Sequence, residues 1–174
     1  MELQGSSTDN IRNSVLLPFV NETIRTLKSM AGLAGNSDLL TYRQALDVFT
    51  FKDFSVSIDT TFTNGVKNNL VMSFDKNIAI LIGNGVRSTL LGSSSNATSI
   101  DDINDALAEF MNTVIGLSTR EINETSHKIT FGVPLYLYSK EESEFLLDGI
   151  KQIMTVPIRL GEIGGFSLSY LIKG

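Results

Sequence analysis

The chain is 174 residues long, 42% hydrophobic and 19% charged, with a net charge of −5, proportions that suit one globular domain with a core of its own. Lys and Arg are scattered singly, so the clustered basic footprint of a nucleic-acid binder is not expected. Cysteine is absent and histidine occurs once, at His127, which excludes disulfides, thiolate catalysis, Cys-based zinc and multi-histidine metal sites.

Residues 1–10 read as a disordered polar tail without the basic and apolar segments of a signal peptide, and residues 11–174 as a single domain. No stretch reaches the apolar length of a membrane span, so a cytoplasmic location with no membrane partner is expected. From Ile11 to Ala31 the apolar positions Leu16, Val20, Ile24, Leu27 and Ala31 keep a helical period. Pro18 lies near the start of that helix, and Gly32, Gly35 and Asn36 end it. Strand-like stretches follow at Ala45–Phe51, Phe54–Phe62 and Val66–Phe74. The second alternates Phe54, Val56, Ile58, Thr60 and Phe62 inward with Ser55, Ser57, Asp59 and Thr61 outward. Asn64-Gly65 joins it to the third as a hairpin. Asp75 is placed to cap a helix over Lys76–Leu91, and Gly92–Ser99 reads as a loop.

Asp101–Arg120 again has a helical period, with Ile103, Ala106, Leu107, Phe110, Met111, Val114 and Ser118 on one side. Ile129–Tyr138 alternates with Ile129, Phe131, Val133, Leu135 and Leu137 on one face, and Pro134 points to an edge position or a bulge. Lys140–Met154 looks helical but short, one or two turns used for packing, and Thr155–Leu160 with Phe166–Ile172 forms a hairpin around Gly161–Gly165. Strands and helices come in runs, which predicts an α+β fold: a two-layer structure with an antiparallel sheet of about six strands and long helices on one face. The order of elements further suggests two pseudo-two-fold halves.

Most motifs have structural readings. Gly83-Asn-Gly85 falls inside an amphipathic helix and reads as a close helix contact, not a dinucleotide loop. Gly161–Gly165 reads as a turn and His127 as a surface residue. Asp101 and Asp102 point to different faces of their helix and no Glu closes a calcium loop, so no metal site is expected. The polar side of Asp101–Arg120 is different. At about 100° per residue, Asp105, Glu109, Asn112 and Gly116 fall within roughly 60° of one another. Two acids, an amide and a bare backbone position stand in a row, without the Glu–Lys pairs of a solubilising face. Such a row is either a solvated surface or a binding site.

The spacing Asp105-x3-Glu109-x2-Asn112, followed after twenty-one residues by Pro134, resembles the signature of the CheX/CheC chemotaxis phosphatase family. Gly116 matches the family's habitual glycine, and Glu22-Thr-Ile-Arg25 resembles a first-half site that has lost its Asn, which favours the CheX branch. The resemblance implies hydrolysis of the acyl phosphate on a CheY-like response-regulator receiver, in chemotaxis or related two-component signalling. It implies catalytic roles for Asn112, which orients water, and Glu109, which pairs with the receiver's active-site Lys. Asp105 and Gly116 are then partner-binding positions. Met111 stands where many family members have Gly; it either packs in the core or contacts the partner, and it is counted among the partner-binding residues. No cofactor is expected on this chain, with Mg²⁺ on the receiver, and a homodimer is implied. The alternative is a non-catalytic CheX-like module that docks a receiver or another signalling partner.

Overall fold

A computed structural model describes residues 10–92, 96–97, 99–124 and 128–174; the expected tail, apart from Asn10, and His127 lie outside them. The chain folds as α+β. Helix α1, Leu17–Thr26, carries Pro18 in its first turn and is continued on either side by π-helical turns, Arg12–Leu16 and Leu27–Ala31. Gly32 ends this helical run at φ 67°, in the left-handed region that glycine adopts without strain. Strands β1 (Tyr42–Gln44), β2 (Phe54–Phe62) and β3 (Lys67–Phe74) precede helix α2, Lys76–Leu91, and helix α3, Ile100–Asn123. Strands β4 (Ile129–Phe131) and β5 (Leu135–Tyr136), helix α4 (Lys140–Leu147) and strands β6 (Ile150–Arg159) and β7 (Gly165–Lys173) complete the chain.

The strands form one antiparallel seven-stranded sheet in the order β1-β6-β7-β3-β2-β4, with β5 also on β2. Exchanging β1 with β4, β6 with β2 and β7 with β3 reverses this order into itself. The expected pseudo-two-fold is therefore real, and it passes between β3 and β7. Each half gives its short edge strand to the other: β1 pairs with β6, and β4 with β2. Neither half can close its sheet alone.

The long helices α1, α2 and α3 cover one face. Their shared core holds Phe19, Val20, Ile82, Val86, Phe110 and Met111 with Val56, Leu70 and Tyr170 from the sheet. The Gly83-Asn-Gly85 contact is as expected: a Cβ on Gly83 would stand 2.9 Å from Ile103 Cδ1, and one on Gly85 would stand 2.9 Å from Ala31 Cα. The opposite face carries a smaller cluster of Phe49, Val71, Ile150, Ile153 and Leu171, covered by Phe51 and by Leu146 and Leu147 of α4.

Several boundaries differ from the sequence reading. Ala45–Phe51 is not a strand; the pairing residues are Tyr42–Gln44. Phe49 and Phe51 pack edge-to-face, ring centroids 5.1 Å apart, against the second cluster, because burying two aromatics there outweighs edge pairing. Ser55 and Ser57 point away from the helices yet are buried, since the preceding segment folds back and Lys52 N–H donates to Ser73 Oγ, itself 2.9 Å from Ser55 Oγ. Asp75 occupies the N-cap position of α2 without capping. Its carboxylate pairs with Lys52 at 2.7 Å, and Asp53 instead accepts from the Lys76 N–H. Within Lys140–Met154 the helix is short, as expected, but the stretch from Ile150 onward is strand. A Ser139–Glu142 capping box starts α4, Gly149 at φ 74° follows its end, and Ile150 opens β6.

Met111→Ala should lower unfolding free energy by about 2–5 kcal/mol, the usual cost of emptying a buried Met site, as measured by urea denaturation. Gly85→Ala should also destabilise, because the added Cβ meets Ala31 backbone atoms, including its carbonyl oxygen, that cannot rotate aside.

Candidate functional site

Helix α3 begins at Ser99, whose Oγ accepts from the Asp102 N–H at 3.1 Å, and Asp101 and Asp102 lie in its first turn, where the helix dipole favours acids. Ile103, Ala106, Leu107, Phe110, Met111, Val114 and Ser118 are all buried. With that side fixed in the core, Asp101, Asp105, Glu109, Asn112 and Gly116 are exposed. Glu109 and Asn112 follow one another by about 4.5 Å along the axis. A Cβ on Gly116 would meet nothing within 4 Å, so no packing within this chain calls for glycine there.

The ion pairs among the described residues involve Asp102, with Arg87 at 3.4 Å, and Glu124, with Arg120 at 3.8 Å, but not Asp101, Asp105 or Glu109. A carboxylate exposed without an internal cation can accept one from a partner. Beside Asp105 and Glu109, Val86, Leu90, Leu91 and Ala106 line a shallow apolar depression of about 140 Å³. Among the described residues no three acids gather as they would around a metal ion.

Met111 corrects the sequence reading. It is fully buried in the helix-face core and has no surface to offer a partner. One residue after Phe110, it is carried about 100° further round the helix and is still on the buried side. Pro134 is buried and lies between β4 and β5. Phe131 stands opposite Thr60 and Leu135 opposite Ser57, so four steps on this side match three on β2. That extra residue is a β-bulge.

The bulge shifts the alternation by one. Leu135 and Leu137 were expected on the face of Ile129; instead Leu135 pairs with Ser57 and is 60% exposed. Tyr136, opposite the buried Val56, turns to the helix side. Its hydroxyl donates to Asp105 Oδ1 at 2.7 Å, and its ring meets Tyr138 edge-on at 5.3 Å. Sequence reasoning missed both tyrosines. The available signal was the Gly132-Val-Pro134 interruption, which announces a parity change in an otherwise regular strand.

On α1, Glu22 is 7% exposed and ion-paired with the exposed Arg25. Unlike Glu109, this carboxylate already has its cation.

A family model described as chemotaxis phosphatase CheX matches residues 56–157, more than half of the chain and a span that contains all of α3. The chain belongs to the CheX family. Among solved structures, this CheX-family chain is similar to a chemotaxis protein CheX from Desulfovibrio desulfuricans, 19% identical with a TM-score of 0.69 over 90% of this chain and 97% of that one. A CheC-like superfamily protein from Shewanella sp. PV-4 is 17% identical, with a TM-score of 0.68 over 92% and 98%. The CheX–CheY–BeF3–Mg complex from Borrelia burgdorferi includes a chain 14% identical, with a TM-score of 0.58 over 90% and 96%. These likenesses establish the fold. A comparison with curated proteins finds no match. No helix among the described residues is long and apolar enough to cross a membrane.

The tyrosine contact has a titration signature. The hydrogen bond to Asp105, then burial, then the Asp105 charge push Tyr136 from its usual 10.0 up to about 12. A raised pKa means that the folded state keeps a proton the unfolded state gives up. The associated stability is full below pH 10 and is lost as pH rises toward 12. Ultraviolet phenolate titration of wild type against Tyr136→Phe should therefore show this tyrosine ionising late, and Asp105→Asn should bring it down toward the usual value.

Proposed function

We propose that this chain docks α3 against a phosphorylated CheY-like receiver and hydrolyses its aspartyl phosphate. The observation that carries this reading is the pair Glu109 and Asn112, one turn apart and exposed on a rigid, core-anchored helix, in a chain of the CheX family.

An acyl phosphate is already activated, so hydrolysis needs water placed in line with phosphorus. The water oxygen bonds to phosphorus, the P–O bond to the receiver aspartate breaks, and a free carboxylate and inorganic phosphate leave. The amide of Asn112 suits the positioning step, since it can donate to and accept from water without repelling phosphoryl oxygens. Glu109 would pair with the receiver's active-site Lys, because a carboxylate beside phosphate needs a cation between them. In this reading the divalent ion belongs to the receiver, where it neutralises charge on the phosphoryl oxygens. Asp105 contributes a rim carboxylate, and Gly116 lets the partner backbone approach. Met111, directed into the core, leaves the approach to Asn112 clear.

Phosphate release from phosphorylated receivers is the test. Wild type should accelerate decay, and Asn112→Ala should remove roughly 10²-fold of that acceleration, the scale of misplacing a reacting group. Glu109→Ala should weaken binding and turnover together. Receiver binding without turnover by wild type would replace this reading with the non-catalytic docking module, and no effect on any receiver would end both. We also propose a homodimer on the strength of the family resemblance. Light scattering should give twice the chain mass, and a monomer at micromolar concentration would end that proposal.

A further inference from the structure

The family signature contains a proline that touches no chemistry, and the site contains a tyrosine that no signature mentions. The fold connects them. Between β4 and β5 the chain spends one extra residue at Gly132–Pro134 while Gly132 N–H still donates to Asp59 O at 2.9 Å. Past the bulge the strand is re-anchored by Leu137 N–H to Ser55 O at 3.0 Å and by the Tyr136–Val56 register. A strand cannot change which face a side chain occupies except by gaining or losing a residue. Without the bulge Tyr136 would lie on the far face, away from α3.

We propose that Tyr136 is a positioning residue for the receiver site: re-aimed by the Gly132–Pro134 bulge, its hydroxyl holds the Asp105 carboxylate in the orientation that the docked receiver meets. This rests on the receiver-phosphatase reading. An exposed Asp on a helix samples several rotamers, and fixing one before binding removes that ordering cost from association. Tyr136 does the fixing from a paired strand, and the edge-on contact with Tyr138 steadies its ring. Asp105 stands one turn before Glu109 on the same stripe, so a carboxylate held there sets the near rim of the contact. Tyr136 touches neither phosphate nor water in this arrangement. Its effect belongs to binding, not to the chemical step.

The test is phosphate-release kinetics on a receiver whose decay wild type accelerates, with Tyr136→Phe, Asp105→Asn and the double variant. Tyr136→Phe removes only the hydroxyl, so the ring keeps its packing. It should raise KM about three- to tenfold, the worth of one hydrogen bond, and leave kcat within about twofold. Asp105→Asn should raise KM at least as much, and the double variant should match Asp105→Asn, because the tyrosine acts through that carboxylate. An unchanged KM in Tyr136→Phe overturns the proposal, as does a loss carried by kcat or a double variant in which the two effects multiply. Those results would leave the phosphatase reading standing. A wild-type protein that accelerates no receiver overturns that reading and this inference together.

Discussion

The candidate site depends on α3 being held from behind. Phe110 and Met111 sit between Glu109 and Asn112 in sequence, and both are fully buried in the core that the helices share with the sheet. Rotating the helix to hide the acid or the amide would pull one of these large side chains into water, at a cost of a few kcal/mol each. The polar row is therefore exposed because the apolar row has nowhere else to go. The proposed function, placing a water, would need that kind of rigidity, since its only resource is position.

The two-fold organisation of the sheet presents two related helices, and the local pairing of Glu22 with Arg25 makes them differ, one closed and one open. Helices α1 and α3 occupy related places on the same face, yet Glu22 is buried against Arg25 while Glu109 stands exposed without an internal cation. A carboxylate that already has its guanidinium offers little to an incoming lysine. The exchange of edge strands, β1 to β6 and β4 to β2, then ties the open half to the closed one. Through it the β4–β5 strand that carries Tyr136 is fixed to the first half's β2 and meets the second half's α3.

Much of this was legible in the residues. The α+β class, the long helices on one face, α2 at its observed bounds and the Phe54–Phe62 hairpin strand follow from periods of 3.6 and 2 residues, which the buried faces of helices and strands impose. The stripe of Asp105, Glu109, Asn112 and Gly116 was legible for the same reason, because angular position on a helix is a property of local geometry. The strand over Ala45–Phe51 and the reach of the short helix toward Met154 were misjudged. In the first, burial of Phe49 and Phe51 overrode a plausible local pattern; in the second, Gly149 at positive φ follows the helix end and Ile150 is buried in β6.

By itself the sequence determined which side chains share the exposed face of α3, and its spacing to Pro134 pointed to the CheX family. Only the tertiary structure decided what that proline does. Its bulge changes strand parity, a count that requires the partner strand, and so Tyr136 arrives at Asp105 from thirty-one positions away. Only the tertiary structure placed Met111 in the core too, because residues on the border between two helix faces are assigned by the neighbours that pack there.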